Sequence, residues 1–411
     1  MLLIVIKAQV EFPLLEEVIV RCKDGRSARD GSIATANIWR GAALRRVVWE
    51  SVNDDLLWLP VDWSLMEEIN VSGNEGDLSP SSFSHRDARC LVRATPVLKR
   101  LRIQLTADPE GRAPRRLDAI PDEPVGPENA DLLASNPILL PYLTTLDLAD
   151  AFLDPDIAPT FIEHVQLPAL TTLRYRLAKD STNVPYSSGH PLLWFLRSQQ
   201  QRPIQVQNWT VDAASMSREV FIDCLRLMPL LKRLWVKDGR DIATQTVSWD
   251  EYDEEFEREE EIEVWNEGVV ETEVAPDDTV LEALQPSLPD EGTSSVTAGP
   301  NPQLEYVRFD RARFHLQALQ DFVKLRIRLS TQDHGSGNPP NSLRCSLQRI
   351  HVGLMYLRPE SDAEELENEC LARGIKATLI FARRREGRGY ASHLGLTNLA
   401  DEGVRIDDDE L

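Results

Sequence analysis

One arrangement of apolar and polar positions returns along most of the chain: an apolar residue, two mostly polar ones, an apolar, one polar, and a last apolar. Its clearest copy is Leu143-Thr144-Thr145-Leu146-Asp147-Leu148, directly after Leu140-Pro141. The alternation at the end of this L-x-x-L-x-L unit suits a short strand, because successive strand side chains point to opposite faces. Ten copies can be placed, starting at Leu15, Leu44, Met66, Leu98, Leu143, Leu170, Ile204, Leu231, Leu304 and Leu347. The copy at Ile204 is the poorest, since it sets Gln207 at a core position and Trp209 at the end.

Between copies the period changes. Val220, Phe221, Cys224, Leu225 and Met228 recur at three- to four-residue spacing, which is one apolar face of a helix. Shorter signals of this kind lie at Ala88–Arg93, Leu192–Arg197, Thr279–Leu284 and Leu316–Lys324. Proline stands shortly before several copies (Pro13, Pro96, Pro141, Pro168, Pro203, Pro229, Pro302), where it ends a helix and admits a strand. A unit of helix, proline turn and strand makes successive strands parallel, because the helix returns the chain each time. A motif repeated in this way predicts an α/β fold, a leucine-rich-repeat solenoid with a curved parallel sheet inside and helices outside.

The repeats are irregular. Their starts are 22 residues apart from Leu44 to Met66 and 73 apart from Leu231 to Leu304, against roughly 20–29 in regular arrays. The reading is one solenoid domain over residues 1–385, with an acidic insertion at 248–302 and a mobile acidic tail at 386–411. Inside the insertion, Ile262–Val274 alternates about Asn-Glu-Gly and is a candidate hairpin. A C-terminal cap is expected at 361–381: Ser361-Asp-Ala-Glu364 resembles a capping box, Gly374 ends the helix, and a strand Ile375–Phe381 follows. The apolar opening Met1–Ile6 reads as a further repeat strand.

Charge narrows the partners. The net charge of −22 argues against general affinity for nucleic acid or an anionic membrane. From Asp250 to Glu291 there are 18 acids against one base, Arg258, so 17 of the 22 excess charges fall there and the remainder of the chain is near balance. The five cysteines are scattered with no C-x-x-C pair, which fits an intracellular protein and gives no zinc site. Phosphate loops, nucleophile elbows and H-E-x-x-H are lacking, and no two of the seven histidines stand at metal-ligand spacing. The expectation is no catalytic residue, no metal and no cofactor.

Candidate function therefore moves to the residues between the apolar positions, which face away from the core. The early copies alternate in sign, Glu16-Glu17, Arg45-Arg46, Glu67-Glu68, Lys99-Arg100, and neighbouring strands of that kind can satisfy each other. Later copies carry Arg174, Lys232, Arg233, Trp235 and Arg308, with no evident acidic ladder beside them apart from Glu305. Trp and Arg dominate binding hot spots, so these five residues, centred on Trp235, are the predicted partner surface.

The degenerate strands, the segments Leu140–Leu146 and Leu167–Leu173, Met228–Leu234 and Leu59-Pro-Val-Asp-Trp63-Ser64-Leu65 together resemble the repeat half of the F-box proteins numerous in mushroom-forming fungi. The resemblance covers roughly residues 10–385. It implies a non-enzymatic module that holds a target protein on its concave face for ubiquitination. The first repeat begins at Leu15, and no F-box is expected ahead of it, so binding to the SCF adaptor requires an F-box supplied elsewhere. The rival readings are a leucine-rich-repeat regulator of a small GTPase and a scaffold with no ligase link.

Overall fold

Nine of the ten copies of the motif fall on parallel strands as read, and the tenth, at Ile204, lies two residues out of frame. The computed structural model describes residues 12–21, 37–50, 56–72, 84–105, 137–150, 161–177, 190–199, 204–237, 276–285, 301, 303–331, 347–354 and 360–381. These residues fall into two compact units, one ending at Gln205 and the other beginning at Val206. The first unit holds β1 (Glu17–Arg21), β2 (Arg46–Glu50), β3 (Glu68–Ser72), β4 (Arg100–Gln104), β5 (Ile138–Leu139), β6 (Thr145–Asp150), β7 (Val165–Gln166) and β8 (Thr172–Leu177). Its main ladder runs β1-β2-β3-β4-β6-β8, parallel throughout, and β5 pairs with β7 outside it. The second unit holds β9 (Asn208–Asp212), β10 (Arg233–Lys237), β11 (Tyr306–Ala312), β12 (Arg349–Leu354) and β13 (Lys376–Phe381), parallel in that order. The architecture is α/β with parallel sheet, as the alternating periods require.

The prolines act at a defined place. Leu15, Leu98, Leu143, Leu170 and Leu231 each donate their N–H to the carbonyl three residues back, that of Phe12, Thr95, Leu140, Leu167 and Met228. The proline that follows each of those acceptors is therefore the second residue of a β-turn, where its fixed φ is already the one needed. The strand register then locks through a repeated pattern. The N–H groups of Arg45 and Arg46 both bond the carbonyl of Glu16, those of Glu67 and Glu68 that of Arg45, and those of Lys99 and Arg100 that of Glu67.

The same pattern corrects the weak copy. The carbonyl of Gln207 accepts from Lys232 and Arg233, so Gln207 stands second in its motif, not fourth. The true unit is Val206-x-x-Trp209-x-Val211, two residues later than the sequence reading, and Trp209 pairs with Leu234. The fourth and sixth positions are buried in every copy. In each unit they form an apolar row, worth about 1.5–3 kcal/mol per large side chain.

Helices cover that row. α1 (His85–Ala94) begins with a capping box in which Ser84 and Asp87 bond each other's backbone N–H. α2 (Pro191–Ser198) has proline at its first position. α3 (Arg218–Leu227) stacks its Phe221 on Trp209, with ring centroids 5.0 Å apart. α4 (Asp278–Leu284) packs on α3, and α5 (Leu316–Thr331) packs on α4. In the first unit several connections are shorter than the expected helices: Asn37–Arg40, Leu56–Trp58, Trp63–Leu65 and Ile162–His164 are single 3-10 turns.

Two further boundaries move. Residues 248–302 read as one insertion, yet by Pro276 the repeat has resumed: α4 buries Val280, Leu281 and Leu284 in the helix row. The candidate hairpin at 262–274, the opening 1–6 and the tail 386–411 lie outside the described residues. The C-terminal helix, α6 (Glu360–Ala372), starts one residue before Ser361, which places that serine in the first turn rather than at a cap. Its end is as expected. Gly374 has φ +76°, its N–H bonds Leu371, and the N–H of Ile375 reaches back to Cys370. That left-handed Schellman closure is why glycine stands there. β13 then adds to β12 without carrying the motif.

Candidate binding face of the strands

The positions between the apolar ones form rows across each ladder. In the first unit the third-position row reads Glu17, Arg46, Glu68, Arg100, Thr145, Thr172. Its charges meet each other: Arg46 lies 3.2 Å from Glu17 and 2.6 Å from Glu68, and Arg100 lies 3.5 Å from Glu68. The Arg46 guanidinium is held above its ordinary range, first by its bond to Glu68 and then by that to Glu17. One position earlier, Lys99 and Glu67 meet at 2.7 Å. Where the charges stop, Thr144 and Thr171 turn their hydroxyls onto the carbonyls of Lys99 and Thr144. Such exposed pairs add about 0–1 kcal/mol each. Their effect is to use up the face: its acids and bases already satisfy one another, as the alternation predicts.

Arg174 belongs to this unit. It lies at the fifth position of the copy on β8, in register with Asp147, whose carboxylate sits 3.3 Å from Arg102. Asp147 is the acidic neighbour that the sequence reading did not give it.

The second unit is different. Its third-position row is Asn208, Arg233, Tyr306, Arg349, Lys376, and its fifth is Thr210, Trp235, Arg308, His351, Thr378. Neither row contains an acid. Trp235 and Arg308, predicted together, are neighbours in register and in contact. The Arg308 guanidinium lies 4.2 Å from the indole centroid and the Lys237 ammonium 4.1 Å from it. Asp310 closes the cluster, accepting from the indole N–H at 2.9 Å and from Arg308 Nε at 2.6 Å. Desolvated cation–π contacts of this kind contribute roughly 0.5–2 kcal/mol.

The indole is only 7% exposed. Trp235 is thus a platform beneath cations, where the sequence pictures an open anchor. Lys232 and Arg233 stand at the second and third positions of the same copy, their N–H groups bonded to Gln207, and Arg233 pairs in register with Tyr306. Tyr306 and Arg349, which the motif places between apolar positions, and Asp310 are not among the five residues that the sequence singles out. Asp310 was visible in principle, since residues two apart on a strand share a face.

His351, beside Arg308 in register, is pushed down from 6.5 to about 4 by burial first, then by Arg308 and Arg349, with Asp310 opposing. His164 in the first unit is lowered to about 4 by burial and by Arg89 and Arg93. A histidine kept neutral in the fold takes up its proton more readily when unfolded. Stability is therefore expected to fall as pH drops from 6.5 towards 4. His351→Gln should flatten its share of that loss, read as the pH dependence of the denaturation midpoint of the second unit. A slope unchanged by the substitution would refute the assignment.

One buried polar cluster lies off this face. His85 Nδ1 accepts the N–H of Phe161 at 2.9 Å, so its proton is on Nε2, which lies 3.5 Å from Asp150. The Tyr175 hydroxyl donates to the other Asp150 oxygen at 3.2 Å. Both His85 and Asp150 are fully buried, and the cluster ties α1, β6 and β8 together. Among the described residues no group of three or more His, Cys, Asp or Glu could hold a metal ion, and no helix is long and apolar enough to cross a membrane. No model of a known protein family matches the chain, and no curated protein matches it either.

Proposed function

We propose that the protein is a non-enzymatic, leucine-rich-repeat recognition module that holds a protein target on the strand face of its second unit. The observation that carries this reading is the contrast between the two faces. Glu17, Arg46, Glu68 and Arg100 engage one another in the first unit. Over the matching positions of the second unit stand Arg233, Tyr306, Arg349, Trp235 and Arg308, with no acid in either row. Aromatic and arginine side chains on a rigid support are what a protein interface concentrates at its centre. By its resemblance to F-box repeat proteins, the wider role is to present that target for ubiquitination, with adaptor binding supplied through an F-box.

The test uses the full chain carrying a photo-crosslinking phenylalanine at Tyr306 or, as control, at Thr145 of the first unit. The expected result is one discrete partner captured from position 306 and not from 145. That partner, once purified, should bind the native chain with an affinity that Arg308→Glu lowers at least about tenfold. Equal capture from both positions, or an affinity indifferent to Arg308→Glu, would overturn the reading. Co-purification with the ligase adaptor tests the wider role separately, and its failure removes the ubiquitin link alone.

A further inference from the structure

We infer that the row Arg233–Tyr306–Arg349–Lys376 reads an extended, carboxylate-rich segment of a partner protein, with acids three residues apart. This deepens the recognition reading and rests on it. The row crosses four adjacent parallel strands in direct register, Arg233 with Tyr306, Tyr306 with Arg349, Arg349 with Lys376. It carries three cations and no acid, while the equivalent row of the first unit alternates Glu and Arg and closes on itself.

Arg349 is the best-defined receptor. Its guanidinium lies over the Tyr306 ring, 5.6 Å from the centroid. Its Nε is buried and meets no hydrogen-bond partner among the described residues. Stacking on an aromatic face holds a guanidinium by its plane, and the two terminal Nη groups are the edge that a carboxylate matches two at a time. The next row offers no second fork of this kind. Arg308 already bonds Asp310 and covers Trp235, and His351 beside it is buried.

Geometry sets the spacing. Strands lie about 4.8 Å apart, so Arg233 and Arg349, separated by β11, stand roughly 10 Å from each other. A segment in the extended polyproline II form has three residues per turn and rises about 3.1 Å per residue, so side chains three apart share one face about 9 Å apart and reach Arg233 and Arg349 together, with Lys376 one strand beyond. Tyr306 lies between them, under the intervening residues. Glu-x-x-Glu is the simplest sequence that fits.

The probe is a fluorescent peptide of four Glu-Ser-Ser repeats, compared with Lys-Ser-Ser repeats, an all-serine peptide and a single-stranded oligonucleotide of equal length. The full chain should bind the glutamate peptide alone, more weakly as salt rises. Arg349→Gln should reduce that binding about tenfold and Arg349→Lys by less, because the charge remains but the fork is lost. Arg100→Gln in the first unit should leave it within about twofold. Circular dichroism shows whether each variant folds; if Arg349→Gln does not, Lys376→Gln replaces it, with a loss of several-fold expected. Binding equal in the substituted and native chains overturns the inference, as does preference for the oligonucleotide. Binding seen only after residues 250–263 are deleted would assign the row to the chain's own acidic run, and also overturns it. If the peptide fails while Tyr306 still cross-links a partner, the acidic class is wrong and the recognition reading stands.

Discussion

Trp209→Ala is expected to destabilise the second unit by about 3–5 kcal/mol, the range for deleting a large aromatic from a packed core. The indole is 1% exposed and stacked on Phe221 at 5.0 Å with the rings 22° from parallel, so its removal opens a void between β9 and α3. Gln207→Ala, two positions away on the same stretch, should change stability by no more than about 0.5 kcal/mol, because only its backbone carbonyl holds the register. Denaturation of the two variants, followed by hydrogen exchange along β9 and β10, compares them directly. Similar effects from both substitutions would refute the register that places Trp209, rather than Gln207, at the fourth position.

That pair of residues also shows where the sequence stops being legible. An L-x-x-L-x-L motif fixes which face of a strand is buried, because its last three positions alternate. It does not fix register against a shift of two, which preserves the alternation. Ile204, Val206, Trp209 and Val211 allow both frames, and only the bonds from Lys232 and Arg233 to Gln207 decide between them. Turns were easier. Proline after a helical face has one economical place, the second residue of the turn, and five leucines close that turn as expected.

The face was half legible for a related reason. Charges alternating between early copies can be paired by eye, since those copies lie within 35 residues of each other, and the ion pairs follow. In the second unit, β10 and β11 are separated by the long acidic stretch, so nothing local announces that Arg233 stands beside Tyr306. Arg349 lies over the same ring from a strand more than 40 residues further on. Trp235 was found as an unusual residue on an open row. Its burial was not, because that depends on Lys237, Arg308 and Asp310 converging from two strands.

Arg326→Met should cost about 2–5 kcal/mol, as expected when buried charge-assisted hydrogen bonds to two carbonyls are removed. No motif marks this residue, which the α5 face carries as one basic position among several, yet it is 1% exposed. Its guanidinium donates to the carbonyl of Asn301 at 3.0 Å and to that of Leu284, the last residue of α4. Asn301 sits at φ 56°, a left-handed conformation that asparagine tolerates better than most residues, and its amide reaches Leu225 in α3. The N–H of Leu304, at the start of the copy that becomes β11, also bonds the Asn301 carbonyl. One side chain thus ties α5 to the end of α4 and to the entry of the strand that bears Tyr306, Arg308 and Asp310. Methionine fills much of the volume but supplies no donor, leaving two buried carbonyls without their arginine partner. Arg326→Lys keeps the charge without the fork, so it should recover only part of the loss. Hydrogen exchange at α4 and β11 should rise in the methionine variant before it rises at β12. A change below about 1 kcal/mol, or protection at α4 and β11 equal to that of the native chain, would show that the clasp does not hold this repeat together.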